Sequence, residues 1–248
     1  TVYVATNAGV SISTNGGGDW TNYTTGVGSG IVRGVYAVGS TVYAATVGGV
    51  AISTNGGGDW TNYTIGLGSV DVRGVYAVGS TVYAATTGGL GISTEGGENF
   101  TNKTTDYTRG IYVVGSTVYA ATDGGAGVSI STNGGEDWTN YTAGLPNTAV
   151  SSVYVVGGDV YAGTGGGLGI STDRGEPFIS RTTDNGLGAN HVNDVFVVGN
   201  AVYLATQDGI SISSSCGTIS SDSSDSSDSV DSGGGTDPGI FLNVAGPV

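Results

Sequence analysis

The chain has 248 residues, 49 of them glycine, and 20 acidic against 6 basic residues give a net charge of −14. Glycine at about one residue in five argues against long helices yet falls short of the one-third that collagen needs, and the acidic balance excludes a nucleic-acid partner because such a surface repels phosphate. Apolar residues at 38% with charged ones at only 10% support a packed β core rather than a disordered chain. No stretch reaches the roughly 18 apolar residues of a membrane span. One cysteine, Cys216, excludes an intrachain disulfide. The lack of Met and a strand-like start at Thr1 read as a processed mature chain whose leader has been removed.

In chain order, the first unit opens at residues 1–6 on what is elsewhere a second strand, so it lacks an innermost one. The second unit holds four extended runs, at 32–38, 41–46, 50–53 and 60–64, separated by Gly-rich turns. Apolar alternation with β-branched and aromatic enrichment predicts antiparallel strands and hairpins there. Residues 32–46 (VRGVYAVGSTVYAAT) recur unchanged at 72–86, and residues 13–24 recur unchanged at 53–64. The serines opening one turn, Ser13, Ser53, Ser93, Ser131, Ser171 and Ser213, are spaced by 40, 40, 38, 40 and 42 residues. Four antiparallel strands per unit of about 40 residues make a propeller blade; a β-solenoid would use shorter coils.

The expected fold is therefore all-β, a six-bladed β-propeller with units at about 1–30, 31–70, 71–106, 107–147, 148–190 and 191–220. The sixth supplies runs at 191–198, 201–206 and 209–213. Residues 221–238 carry Asp222, Asp225, Asp228 and Asp231 at every third place and read as a solvated spacer. Residues 239–248 are apolar again, and Gly239-Ile240-Phe241-Leu242 parallels Gly34-Val35-Tyr36-Ala37. This predicts an assembly strand, with Ile240, Phe241, Leu242 and Val244, that fills the missing place beside Val2, Tyr3 and Val4. The spacer, about 60 Å when extended, lets that strand return to its own first blade or enter that of a neighbour, where repetition yields a filament.

Residues 171–178, Ser-Thr-Asp-Arg-Gly-Glu-Pro-Phe, read S-x-D-x-G-x-x-F. This resembles the Asp-box (BNR) repeat of sialidase-like and photosystem-assembly-factor-like propellers. Four more copies carry Asn15 before Trp20, Asn55 before Trp60, Glu95 before Phe100 and Asn133 before Trp138. The Asp or Asn side chain closes the turn on backbone amides, glycine takes the positive-φ position and the aromatic residue enters the core. Glu95, with a longer arm, should close its turn less well. The resemblance implies the fold; sites are argued separately.

Arg33, Arg73 and Arg109 hold one position in three successive innermost strands, so they gather near the central channel as a candidate anion site. The resemblance makes them worth weighing because sialidases place three arginines on a carboxylate. Here they are repeat copies without a tyrosine–glutamate pair, and no catalytic residue is assigned. His191 reads as a polar strand-end residue. No metal or cofactor is expected, since the Asp222–Asp231 spacing matches no oxygen-ligand loop and the glycine clusters open no helix. The N-x-T triplets at Asn22, Asn62, Asn99, Asn102 and Asn140 lie on or beside the outermost strands and are candidate glycosylation sites. Near-identical blades suggest a secreted, non-enzymatic surface protein whose partner is itself, with glycans as candidate attachments. A carbohydrate- or ligand-binding propeller using repeated aromatics as sugar platforms is the second reading, and an Asp-box glycosidase the third.

Overall fold

A computed structural model describes residues 1–199 and 201–213. They form six antiparallel sheets. The first contains β1 (Val2–Thr6), β2 (Gly9–Ser13) and β3 (Thr21–Tyr23), and the second β4 (Val32–Val38), β5 (Thr41–Thr46), β6 (Gly49–Ser53) and β7 (Thr61–Tyr63). The third has β8 (Val72–Val78), β9 (Thr81–Thr86), β10 (Gly89–Ser93) and β11 (Thr101–Asn102). The fourth has β12 (Tyr107–Val114), β13 (Thr117–Asp123), β14 (Val128–Ser131) and β15 (Thr139–Tyr141). The fifth has β16 (Val150–Val156), β17 (Asp159–Thr164), β18 (Gly167–Ser171) and β19 (Ile179–Arg181), and the sixth β20 (Val192–Val198), β21 (Ala201–Thr206) and β22 (Gly209–Ser213). The helical content is one turn, Thr183–Asn185, so no helix among the described residues could cross a membrane. The spacer at 221–238, the strand expected within 239–248 with Ile240, Phe241, Leu242 and Val244, and Cys216 lie outside the described residues.

Each sheet is a meander, and the innermost strands β4, β8, β12, β16 and β20 pack one on the next around the axis. This is the propeller arrangement. The third strand of the second unit begins at Gly49, and the fourth is shorter than residues 60–64. The reason is Trp60: its indole N–H donates back to the Gly57 carbonyl at 2.8 Å, which places the ring between sheets. Consecutive sheets bury their facing sides. Val10 and Ile12 meet Val42, Ala44 and Trp60 at the first junction, and Val50 and Ile52 meet Val82, Ala84 and Phe100 at the second. Each junction combines a large ring, Trp60 or Phe100, with small alanines such as Ala44 or Ala84, which lets twisted sheets approach closely.

Three of the turns before a fourth strand are built alike. Ser53 Oγ accepts from the Gly57 amide at 2.8 Å and donates to Asn55 Oδ1, which also accepts from the Asp59 amide at 2.9 Å. The same bonds recur around Asn15 and Asn133. At Glu95 the carboxylate instead accepts from the Asn99 side chain at 3.1 Å. The loops between blades need glycine: Gly66 has φ +79°, and a Cβ there would fall on the Phe100 carbonyl oxygen. Arg174, at φ 54°, stands where the other turns use Gly16, Gly56, Gly96 and Gly134. Gly66→Ala should cost more than about 2 kcal/mol, from left-handed strain and displaced backbone. Arg174→Gly should be neutral to stabilising by up to about 1 kcal/mol, because relief of the same strain is partly offset by glycine's entropy. Urea unfolding of both variants checks the opposite signs.

Candidate functional site

Two regions stand apart from the repeated packing: the inner side of the first sheet and the mouth of the central channel. Among the described residues β1 of the first sheet pairs only with β2, with Val2 opposite Ser13 and Thr6 opposite Gly9. Its equivalent β5 lies between β4 and β6. The whole of β1 is therefore only half-buried, whereas β5, β9, β13 and β17 are buried along nearly all their length. Val2, Tyr3 and Val4, expected as the acceptor, lie on this edge strand, which offers backbone donors and acceptors to an added strand.

Beside that edge runs an arc of aromatic rings, one from each innermost strand. Ring centroids are 4.5 Å apart for Tyr36–Tyr76, 5.6 Å for Tyr76–Tyr112, 4.7 Å for Tyr112–Tyr154 and 5.4 Å for Tyr154–Phe196. Loss of water, then the neighbouring phenols, raise the Tyr76 pKa, and burial with Tyr154 pushes Tyr112 up to about 12.

At the mouth, each innermost strand carries a β-bulge: the register shifts between Val32 and Gly34, Val72 and Gly74, Thr108 and Gly110, Val150 and Ser152, and Val192 and Asp194. The extra residues are Arg33, Arg73, Arg109, Ser151 and Asn193, and a bulge re-aims its side chain. The three arginines do gather, but as ion pairs. Asp71 accepts from Arg33 Nε at 3.0 Å and from Arg73 Nη2 at 2.8 Å, and Asp123 accepts from Arg109. The Arg73 and Arg109 guanidinium groups lie 5.3 and 4.9 Å from the Tyr107 ring centroid, a cation–π arrangement.

A cavity of about 330 Å³ opens beside them, lined by Arg73, Arg109, Ser151, His191 and Asn193, with Ala149 and Gly165. His191 thus belongs to the rim, which its place before a strand did not reveal. Asp71, Tyr107 and Asp123 were also missed. Their signal was divergence from the repeat, since Asp71 and Tyr107 replace Ile31, and Asp123 replaces Val47. Two carboxylates hold three guanidinium groups, leaving spare N–H donors for a carboxylate or carbonyl, including the unpartnered Arg73 Nε.

Four of the N-x-T asparagines bracket neighbouring segments, while Asn99 Nδ2 donates to the Glu95 carboxylate within its own turn. The Nδ2 atoms of Asn22, Asn62 and Asn102 donate to the carbonyls of Ala8, Gly48 and Gly88 at 2.7, 2.8 and 3.0 Å, and Asn140 Oδ1 accepts from Ser129. Of the turn aromatics, Trp60, Phe100 and Phe178 are buried between sheets, so they offer no sugar platform; Trp20 is 46% exposed.

No protein-family model matches the chain, and no curated protein matches it in sequence. Solved structures do. An extracellular domain of a hybrid two-component system from B. thetaiotaomicron is 18% identical with a TM-score of 0.70, covering 85% of this chain and 30% of that one. YCF48 bound to D1 peptide is 19% identical with a TM-score of 0.63, covering 87% and 75%. A GH74 enzyme from Niastella koreensis is 25% identical with a TM-score of 0.62, covering 88% and 35%. The chain thus spans about a third of the length of the sensor and GH74 structures, and the fold is that of the β-propellers.

The expectation of a non-enzymatic chain does not stand, because enzymes are among the structures that share this fold. Its premise was weak: repetition constrains blade packing, while strand-end residues such as Asp71 and Tyr107 diverge freely.

Stability should stay level to about pH 10 and fall between about pH 10 and 12, because the folded arc keeps phenol protons that unfolded tyrosines release. Tyr112→Phe should flatten that fall. Urea unfolding across this range measures it, and a level profile through pH 12 contradicts the assignment.

Proposed function

We propose that this chain is an extracellular, self-assembling surface propeller that joins copies by adding its C-terminal strand to the open first sheet of a neighbour. The observation that carries this reading is β1, which among the described residues is bonded on one side only and is half-buried where β5, β9, β13 and β17 are covered. An unpaired apolar edge is a template for strand addition.

The two ends of the sheet array support association between copies. On β22, Ile210 and Ile212 are 77% and 59% exposed, whereas their equivalents Val50 and Ile52 are 0% and 8% exposed. At every internal junction that face is covered by the next sheet's counterparts of Val2, Val4 and Trp20, and among the described residues the sixth sheet does not pack along the first. The chain therefore presents complementary faces at opposite ends, the condition for a heterologous contact. An extracellular setting agrees with the likeness to sensor extracellular domains and with the N-x-T triplets; glycans at Asn22, Asn62 or Asn102 would share an amide nitrogen already bound to a carbonyl.

A second reading, a ligand-binding propeller, draws on the cavity beside Arg73, Arg109 and His191, which suits a small carboxylated ligand.

Electron microscopy and sedimentation of the full chain should show fibres or concentration-dependent oligomers, lost on deleting residues 239–248 while the circular dichroism of the sheets remains. A full chain that stays monomeric at all concentrations sinks the self-assembly reading. An intact mass equal to the bare 24.4 kDa removes the glycans.

A further inference from the structure

The open first sheet also specifies which residues fill it and in what register, an inference that rests on the strand-addition reading above. The five innermost strands share one arrangement after the bulge: Gly34-Val35-Tyr36, Gly74-Val75-Tyr76, Gly110-Ile111-Tyr112, Ser152-Val153-Tyr154 and Asp194-Val195-Phe196. In the second sheet Gly34 faces Ala45, Val35 faces Ala44, Tyr36 faces Tyr43 and Ala37 faces Val42. The third repeats this register.

Each position has a physical reason. The first takes a small or polar residue: a Cβ on Gly74 would stand 3.1 Å from the Arg109 carbonyl oxygen, one on Gly34 would make ordinary contact at 3.8 Å with that of Arg73, and Ser152 and Asp194 hold the place in the last two strands. The second is a β-branched core residue. The third is the ring of the aromatic arc, which packs into the junction with the next sheet: Tyr36 at the second junction, Tyr76, Tyr112 and Tyr154 at the following ones. At the first junction Tyr3, Ala5 and Tyr23 come from the first sheet, and no innermost-strand ring is among the described residues there. Among the described residues the arc thus ends at Tyr36.

Beyond residue 213 the pattern Gly, β-branched, aromatic occurs once, at Gly239-Ile240-Phe241. Pro238 precedes it, at the bulge position held by Arg33, Arg73 and Arg109, where the ladder needs no N–H and proline is tolerated.

We infer that residues 239–242 of a second copy lie along β1 with Gly239 opposite Ala5, Ile240 opposite Val4, Phe241 opposite Tyr3 and Leu242 opposite Val2, placing the Phe241 ring against Tyr36 as the sixth member of the arc. Val244 then falls past the end of β1. The strand is recognised by backbone pairing along β1 and by the place of the ring at Phe241, so the acceptor discriminates against segments lacking a β-branched residue followed by an aromatic one.

The test uses the full chain with Cys216→Ser and paired cysteines at facing sites, Val4→Cys with Ile240→Cys, against a pair shifted by two residues, Val4→Cys with Leu242→Cys. Mild oxidation should give a ladder of disulfide-linked multimers for the facing pair alone. A ladder from the shifted pair alone overturns the register and leaves strand exchange standing. A crosslink within single chains upholds the register but overturns the second copy as its source, and with it the assembly reading. No crosslink from either pair overturns the placement.

Side-chain variants give an independent readout. Phe241→Ala should raise the concentration for half-dissociation at least about a hundredfold. Phe241→Tyr, which restores the residue of four of the five described strands, should stay within about threefold of the parent. Equal assembly by the alanine variant contradicts the ring's place in the arc.

Discussion

The constraint behind this structure is that a propeller sheet is apolar on both faces and must be covered on both. Val42 and Ala44 on one face of the second sheet are fully buried against the first, while Val50 on the other is fully buried against the third. Neither contact suffices alone, so a blade is stable only as part of an array. The terminal sheets inherit the same faces without the same cover, as Trp20 and Ile210 show. Among the described residues the two ends are where the requirement is unmet, and burial of such surface is worth roughly 25 cal/mol per Å².

The innermost strands add a second layer of organisation. Their bulges turn Arg33, Arg73 and Arg109 toward the channel mouth, and their midpoints supply the aromatic arc. The two features serve different ends. The arc is repeated and structural, with tyrosines held protonated by burial, whereas the mouth is where copies diverge and individual chemistry accumulates. The Asp71 bridge between Arg33 and Arg73 and the Tyr107 face between Arg73 and Arg109 make this rim a connected unit.

Much of the fold was legible because the same strand pattern recurs in each of the six units. The alternation at residues 32–38 and 41–46 gave those strands to the residue, since turn glycines bound them on both sides. The fourth strand was harder, because the Trp60 indole closes the turn and belongs to the inter-sheet core instead of the ladder. The clustering of Arg33, Arg73 and Arg109 could be read from equivalence, but not that Asp71 and Asp123 neutralise them: such pairs join residues up to 38 positions apart, and only their departure from the repeat marks them. The bracketing role of Asn22, Asn62 and Asn102 was hidden by the N-x-T pattern itself, which carries the same residues for a covalent or a structural purpose.

The central claim is that the inner edge of β1 receives a strand. Amide hydrogen exchange of residues 2–6 in the full chain tests it most directly, with the equivalent residues 42–46 of the second sheet as an internal standard. The account predicts that both sets exchange slowly in the assembled protein and that deletion of residues 239–248 accelerates exchange at 2–6 alone. Rapid exchange at 2–6 in the full chain, indistinguishable from that of the truncated one, contradicts it.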